Sequence, residues 1–125
     1  SCVEVHARAI EAFQPNLLVG SSFGAAVAVA LLMRGLYQGP TLLLAQAALR
    51  YLPEAALPEG VPVTLVHARA DAVIPFADSQ QLARTGSPGL VKLLPRDDDH
   101  ALTGCTSSGE LASLVAACFD ETQRT

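Results

Sequence analysis

Long segments with apolar residues at helical spacing alternate with short apolar runs along the chain. In Val3–Phe13 the apolar side chains recur at helical spacing, which predicts an amphipathic helix. Nearly every position in Ser22–Arg34 is apolar, and Gly35 follows directly. This pattern predicts a helix that is buried on most sides and ended by a C-terminal glycine. Further helical segments are predicted at Gln46–Leu52, as a short turn, and at Ala77–Arg84 and Ser108–Phe119.

Short apolar runs between these helices have the length and composition of strands that are buried on both faces. The predicted strands are Asn16–Gly20, Thr41–Ala45, Val61–His67 and Leu90–Leu94. Strands and helices alternate from end to end, without a repeat. This order predicts an α/β fold in which a parallel sheet is flanked by helices on both faces, and we expect residues 1–125 to form a single domain.

Composition and charge narrow the range of partners. With 50% hydrophobic residues, the 125-residue chain has enough apolar surface for a folded core. Its net charge of -4 and its lack of clustered Lys and Arg argue against nucleic acid as a partner, because phosphate binding requires a basic patch. The longest apolar run, Ala25–Met33, is far shorter than the roughly 20 residues of a membrane span, so we expect no membrane partner.

The cysteines do not indicate a metal or redox site. Cys2, Cys105 and Cys118 are widely spaced and form no C-x-x-C pair. Zinc sites and redox switches commonly use cysteines that are close in sequence, so this spacing favours neither. We interpret the three residues as reduced, mostly structural thiols, and we expect a soluble, cytoplasmic protein without a metal.

The segment Gly20–Gly24, of sequence GSSFG, joins a predicted strand to a predicted helix. A serine centred between two glycines at such a junction is typical of a nucleophile elbow, a sharp turn that holds the serine in a strained conformation above the end of the sheet. Ser22 is the central residue, and we expect bulk at Gly20 or Gly24 to collide with the neighbouring helix or strand. The alternative interpretation of the segment is a flexible turn.

Two more polar residues follow predicted strands. Asp71 follows the third strand and His100 follows the fourth. Because the carboxyl ends of parallel strands meet at the same edge of a sheet, we expect these side chains to lie near Ser22. The chain order of nucleophile, acid and histidine is the order of a Ser-Asp-His triad in one class of hydrolases.

Each candidate has a rival in the sequence. Ser21 offers a second hydroxyl, but it is not centred between the glycines. Asp78 is a second acid, and we expect it to lie inside the following helix. We interpret His67 as a structural residue at a strand end and His6 as a solvent-facing helix residue.

Three segments together resemble the α/β-hydrolase family, in particular its small lidless serine esterases and the dienelactone-hydrolase-like members. Gly20–Gly24 resembles the elbow. His67–Pro75 resembles the family's H-G-x-x-D-x-x-V-P segment, with Ala68 in place of the usual glycine. Asp97–His100 resembles the ending that carries the family's histidine.

This resemblance implies a serine hydrolase that cleaves a small-molecule carboxylic ester, thioester or amide through an acyl-enzyme, with no cofactor. Ser22 would be the nucleophile and His100 its base, and Asp71 would orient the imidazole. The backbone N–H of Phe23 would donate to the oxyanion. The alternative is a non-catalytic α/β-hydrolase-like scaffold or interaction module.

The resemblance covers only the C-terminal half of the family's fold, from the elbow strand onward. The N-terminal strands have no counterpart in these 125 residues, and neither does the loop that supplies the family's second oxyanion donor. In the family the elbow strand pairs on both sides. Here it would leave one apolar edge free, so we expect either a fragment whose other half was removed or lost, or a homo-oligomer formed through this edge.

The acidic run Asp97–Asp99 precedes the candidate histidine. We interpret it as a solvated loop. We also hypothesise that carboxylates beside His100 stabilise a protonated imidazole and repel anionic substrates, which would favour neutral esters or amides.

Overall fold

A computed structural model of the chain describes residues 2–13, 17–100, 102, 109, 113, 115 and 116. The helices of this part are α1 (Cys2–Phe13), α2 (Phe23–Met33), α3 (Ala48–Tyr51) and α4 (Phe76–Ala83). Its strands are β1 (Leu18–Ser21), β2 (Thr41–Leu44), β3 (Val63–Ala68) and β4 (Val91–Arg96). The predicted helix Ser108–Phe119 lies mostly outside the described residues, although residues 113, 115 and 116 are helical.

The strands form one sheet in the order β1-β2-β3-β4, and every neighbouring pair is parallel. The register aligns Gly20 with Leu43 and Leu43 with Leu65 across the first three strands. The predicted parallel α/β fold is therefore confirmed. All four strands end at the same edge of the sheet, so the segments after β1, β3 and β4 all begin at that edge.

A hydrophobic cluster lies on each face of the sheet. On the first face, α2 and α4 pack onto inward-facing strand residues such as Leu43 and Leu65. On the second face, Leu42 and Val66 are covered by Leu102, with the helical Val115 packed beside them. Because strand side chains alternate between faces and both faces are covered, the strands read as continuous apolar runs in the sequence.

The α2 helix explains the run of apolar residues that follows the elbow. Its residues from Ala25 to Val29 are all buried, together with Leu31 and Leu32. The helix ends where Gly35 adopts a left-handed φ of 68°. There the N–H of Leu36 donates to the carbonyl of Leu31, and the N–H of Gly35 donates to the carbonyl of Leu32. This is the Schellman arrangement expected of a C-terminal glycine.

Several strand boundaries differ from the prediction. β1 begins at Leu18 and includes Ser21, whereas β3 begins two residues after its predicted start and includes Ala68. β4 continues to Arg96 through Pro95. Proline lacks the N–H that a central strand needs, but β4 is an edge strand of the described sheet, where the missing donor is tolerated. The spacing of apolar residues in the sequence does not indicate which strand lies at an edge of the sheet, so it could not predict that β4 continues through a proline.

Candidate active site

Ser22 lies between β1 and α2 in a strained backbone conformation. Its φ is 52° and its ψ is -113°, a region that costs a non-glycine residue about 1–3 kcal/mol. The Ser22 N–H donates to the carbonyl of Leu44 at 2.8 Å. The Ser22 carbonyl accepts from Ala25, Ala26 and Ala47. The end of β2 and the first turn of α2 therefore hold the serine in the strained conformation.

Of the two glycines that flank this serine, only Gly20 is needed for space within the described residues. A Cβ at Gly20 would lie 2.7 Å from the carbonyl oxygen of Gly24 and 2.8 Å from the Cα of Ala25. A Cβ at Gly24 would meet nothing within 4 Å among the residues that the structure describes. The expected collision at Gly24 is therefore wrong for this part of the molecule, because its Cα faces open space rather than a strand or helix.

The structure brings together the side chains of Ser22, His100 and Asp71. Ser22 Oγ lies 3.0 Å from His100 Nε2, and His100 Nδ1 lies 2.7 Å from Asp71 Oδ2. An ionised carboxylate only accepts hydrogen bonds, so Nδ1 carries the proton of a neutral imidazole. Nε2 is then left as an acceptor that faces the hydroxyl of Ser22. A serine and a carboxylate are thus joined through opposite nitrogens of one imidazole.

The side chain of Asp71 is fully buried, and both oxygens of its carboxylate accept hydrogen bonds. Its Oδ1 accepts from the N–H groups of Val73 and Ile74 at 2.7 and 2.8 Å, and its Oδ2 accepts from His100. Burial by itself raises the pKa of Asp71, but the hydrogen bonds from His100, Ile74 and Val73 outweigh it and lower this pKa below its usual value. The site therefore favours the ionised carboxylate.

The rival residues lie elsewhere. Asp78 is in the first turn of α4, as predicted, and His6 is exposed on α1. Ser21 is the last residue of β1 and is exposed. Asp97 forms an exposed ion pair with Arg69 at 2.8 Å.

A second serine and a second histidine, which the sequence analysis did not assign to the site, lie behind Asp71. His67 Nε2 is 3.2 Å from Asp71 Oδ2, and His67 Nδ1 is 2.6 Å from Ser79 Oγ. Gln46 Nε2 donates to Ser79 Oγ at 3.0 Å. No motif marks Ser79 or Gln46. For His67 the available signal was the segment His67–Pro75, which places this histidine four residues before Asp71 across the end of β3.

Phe23 is the first residue of α2, next to the candidate nucleophile. The N–H groups in the first turn of a helix have no partner within the helix, and the helix dipole favours negative charge there. The Phe23 ring makes an edge contact with Tyr51 at a centroid distance of 5.0 Å, and both rings are about half exposed. An exposed aromatic pair thus includes the residue that directly follows Ser22.

Within the described part of the chain, no group of three His, Cys, Asp or Glu side chains is arranged to hold a metal ion. Across the same residues, no helix combines the length and the apolar character required to cross a membrane.

Solved structures with the same architecture decide the fold family. A candidate hydrolase from Agrobacterium vitis S4 superimposes with a TM-score of 0.72 at 20% identity, over 94% of this chain and 67% of that protein. A candidate α/β-superfamily hydrolase from Xanthomonas campestris matches with a TM-score of 0.71 at 24% identity, over 98% of this chain and 66% of that protein. The chain has the α/β-hydrolase fold.

A third structure with this fold is the esterase domain of a Rhodothermus marinus protein, with a TM-score of 0.68 at 17% identity, over 92% of this chain and 65% of that one. The chain thus spans about two thirds of the length of these α/β-hydrolase-fold proteins. No protein-family model matches the sequence, and no curated protein is significantly similar to it.

Proposed function

We propose that this chain is a serine hydrolase that cleaves a carboxylic ester, thioester or amide through an acyl-enzyme formed on Ser22. The observation that carries the proposal is the pair of contacts at His100, 3.0 Å to Ser22 Oγ and 2.7 Å to Asp71 Oδ2. The strained elbow that presents Ser22 supports it, and so does the likeness to structures of candidate hydrolases and of an esterase domain.

The geometry suits general-base activation of Ser22. As Oγ attacks the substrate carbonyl carbon, its proton passes to His100 Nε2, and the carbonyl oxygen becomes an oxyanion. The imidazolium, held by Asp71, then returns the proton to the leaving alcohol, thiol or amine as the acyl-enzyme forms. Water, deprotonated by the same nitrogen, hydrolyses the acyl-enzyme and restores Ser22. These steps use only the substrate, water and groups of the protein, so no cofactor enters the mechanism.

The N–H of Phe23 is the donor that we assign to the oxyanion. It follows the nucleophile directly and begins α2, where the helix dipole adds to its effect. One such donor is typically worth about 3 kcal/mol in the transition state.

An active-site-directed fluorophosphonate probe tests the proposal. We expect the probe to label the wild-type protein and Ser21→Ala, and labelling to vanish in Ser22→Ala and to fall at least about a hundredfold in His100→Ala. Ser21→Ala is the matched control, because it removes the neighbouring hydroxyl of the same elbow. Equal labelling of wild-type protein and Ser22→Ala would contradict the assignment of the nucleophile.

The second candidate function is a non-catalytic scaffold or interaction module. It is favoured by the free edge of β1, which has no strand partner among the described residues and whose Val19 is 44% exposed. A folded wild-type protein that the probe does not label would favour this candidate.

A further inference from the structure

The buried polar network behind Asp71 has no part in the proton transfer described above. Gln46, His67 and Ser79 are each at most 1% exposed. Burying three polar side chains is costly unless their hydrogen bonds are satisfied, and in the described part of the chain every buried side-chain polar atom has a partner. Such a network suggests a role for which apolar residues would not serve.

The proton positions in this network follow from its ends. The carbonyl oxygen of Ile74 can only accept, and it lies 2.9 Å from His67 Nε2, so this nitrogen carries a proton. His67 Nε2 also lies 3.2 Å from Asp71 Oδ2, although its hydrogen bond goes to Ile74. In a neutral imidazole Nδ1 is then an acceptor, and the hydroxyl of Ser79 donates to it at 2.6 Å.

The far end of the network is fixed by the backbone. The N–H of Ala48 donates to Gln46 Oε1 at 2.8 Å, which turns the amide group of Gln46 toward Ser79. All the donors therefore point in one direction, from α3 through α4 and β3 to the carbonyl of Ile74, whose own N–H donates to Asp71 Oδ1. The ring of His67 has no freedom to rotate without breaking two of these bonds.

Asp71 Oδ2 thus lies close to two imidazoles, His100 at 2.7 Å on the solvent side and His67 at 3.2 Å on the core side. Ser79, His67 and Asp71 repeat the residue types of the Ser22 site. Ser79 is fully buried, however, so no substrate reaches its hydroxyl. This second set therefore supports the carboxylate and forms no second active site.

We propose that His67 is a positioning residue that holds the Asp71 carboxylate in the orientation required by His100, with its own ring fixed by Ser79 and Gln46. This role rests on the proposed function of Ser22, His100 and Asp71. His67 touches neither substrate nor nucleophile, and it acts only through Asp71.

The experiment compares fluorophosphonate labelling rates of folded variants. We expect His67→Leu, which removes the donor at similar volume, to slow the labelling of Ser22 about 10- to 100-fold, as small displacements of catalytic groups do. His67→Gln places an amide N–H near the position of Nε2, and we expect it to recover most of the lost rate. Leu65→Ala in the same strand is the control, because it perturbs the core on the same face without removing a hydrogen bond of the network.

The pH dependence of labelling distinguishes loss of the positioning contact from a general loss of core packing. The titratable groups that contact Asp71 in the described residues are His100 and His67, while Arg69 and Asp97 pair with each other nearby. Without the Nε2–H of His67 beside it, the negative charge of Asp71 is less compensated, so we expect the protonated form of the His100–Asp71 pair to persist to higher pH. We expect the acid limb of the labelling profile to move to higher pH in His67→Leu and to stay in place in Leu65→Ala.

A readout without catalysis separates this role from the proposed function. The His100 Nδ1 proton, in its short bond to Asp71, should give a low-field proton NMR signal that is absent in Asp71→Asn. We expect the signal to be lost or broadened in His67→Leu and kept in His67→Gln. If the probe does not label wild-type protein but the signal behaves in this way, the positioning role stands and the hydrolase proposal fails.

Unchanged labelling, acid limb and proton signal in folded His67→Leu would overturn the positioning role. If His67→Leu does not fold, Ser79→Ala replaces it, because it removes the bond that fixes the ring and leaves His67 in place. We expect Ser79→Ala to slow labelling about 3- to 10-fold, which is the factor expected from one hydrogen bond of about 1 kcal/mol. Wild-type rates and an unaltered proton signal in Ser79→Ala would likewise overturn the proposal.

Discussion

Ser22 and Asp71 depend on backbone groups as much as on side chains. Ser22 keeps its strained φ because its N–H and carbonyl are both bonded to neighbouring elements. Asp71 keeps its charge because two backbone N–H groups point at Oδ1 while His100 donates to Oδ2. At the scale of single residues the site is therefore an arrangement of hydrogen-bond directions that is fixed before any substrate binds.

The lowered pKa of Asp71 predicts a pH-dependent contribution to stability. Because this pKa is below its value of about 3.9 in an unfolded chain, the ionised group stabilises the fold above about pH 4, and the contribution is lost as pH falls through the folded pKa. We expect the free energy of unfolding to fall more steeply below about pH 4 in the wild type than in Asp71→Asn.

Urea denaturation at several pH values measures this difference. Asp97→Asn, a change at an exposed side chain, is the control and should keep the wild-type slope. Parallel slopes in the wild type and Asp71→Asn would contradict a carboxylate that is stabilised in its charged form.

The acidic run before His100 yields a prediction about substrate charge. Asp98 and Asp99 are the two carboxylates nearest to His100 in the sequence, so the test concerns these two residues. We expect Asp98→Asn with Asp99→Asn to raise kcat/KM for an anionic ester about threefold relative to its neutral analogue at low salt, since two repelling charges are removed. The gain should shrink at high ionic strength because exposed charges are screened. If the preference between the anionic and the neutral ester is unchanged at low salt, this acidic run does not repel anionic substrates.

At the scale of elements, the junction of β1 and α2 carries the tightest packing constraint. The strand must turn into the helix within one residue, and the space for that turn comes from Gly20, whose Cβ position is occupied by the backbone of Gly24 and Ala25. Gly24 lies within the first turn of α2 with open space before it. The two glycines of the same motif therefore have different physical roles in the described structure.

A pair of alanine variants tests this difference. We expect Gly20→Ala to lower the free energy of unfolding by about 1–3 kcal/mol, because the new methyl group overlaps backbone atoms that cannot move aside. Gly24→Ala should be neutral or stabilising by up to about 1 kcal/mol, because alanine favours the helix. Chemical denaturation of both variants gives the comparison. A large loss of stability in Gly24→Ala would show that something occupies the space in front of that residue.

At the scale of the whole molecule, the free edge of β1 is the main departure from a closed sheet. Unpaired N–H and C=O groups along an apolar strand invite pairing with another chain. A second copy of this chain offers an identical edge, which can pair with the first around a twofold axis. The homo-oligomer considered from the sequence therefore stays a prediction, and the surface that would form it is the free edge of β1.

Light scattering across a dilution series measures this association. We expect the wild type to self-associate and Val19→Lys, which places a charge on the β1 edge strand, to shift the equilibrium toward monomer at least about tenfold. Val5→Lys is the matched control, since Val5 is also exposed but lies on α1. A folded wild-type protein that stays monomeric at every concentration would contradict this use of the edge.

The sequence by itself determined the order of strands and helices, the parallel α/β fold, and the candidates Ser22, Asp71 and His100 at strand ends. These features could be predicted because apolar periodicity, glycine positions and turns are local properties of the chain. Boundaries such as the end of β4 beyond Pro95 were missed because they depend on which strand lies at an edge.

Which residues from distant parts of the chain contact each other was decided only by the tertiary structure. Ser22 and His100 are 78 positions apart, and their 3.0 Å contact depends on the register of four strands. The links from Asp71 through His67 to Ser79 likewise cross between a strand, a loop and a helix. Such contacts follow from the packing of distant segments, which no local pattern encodes, and so the support behind the carboxylate became visible only in the folded chain.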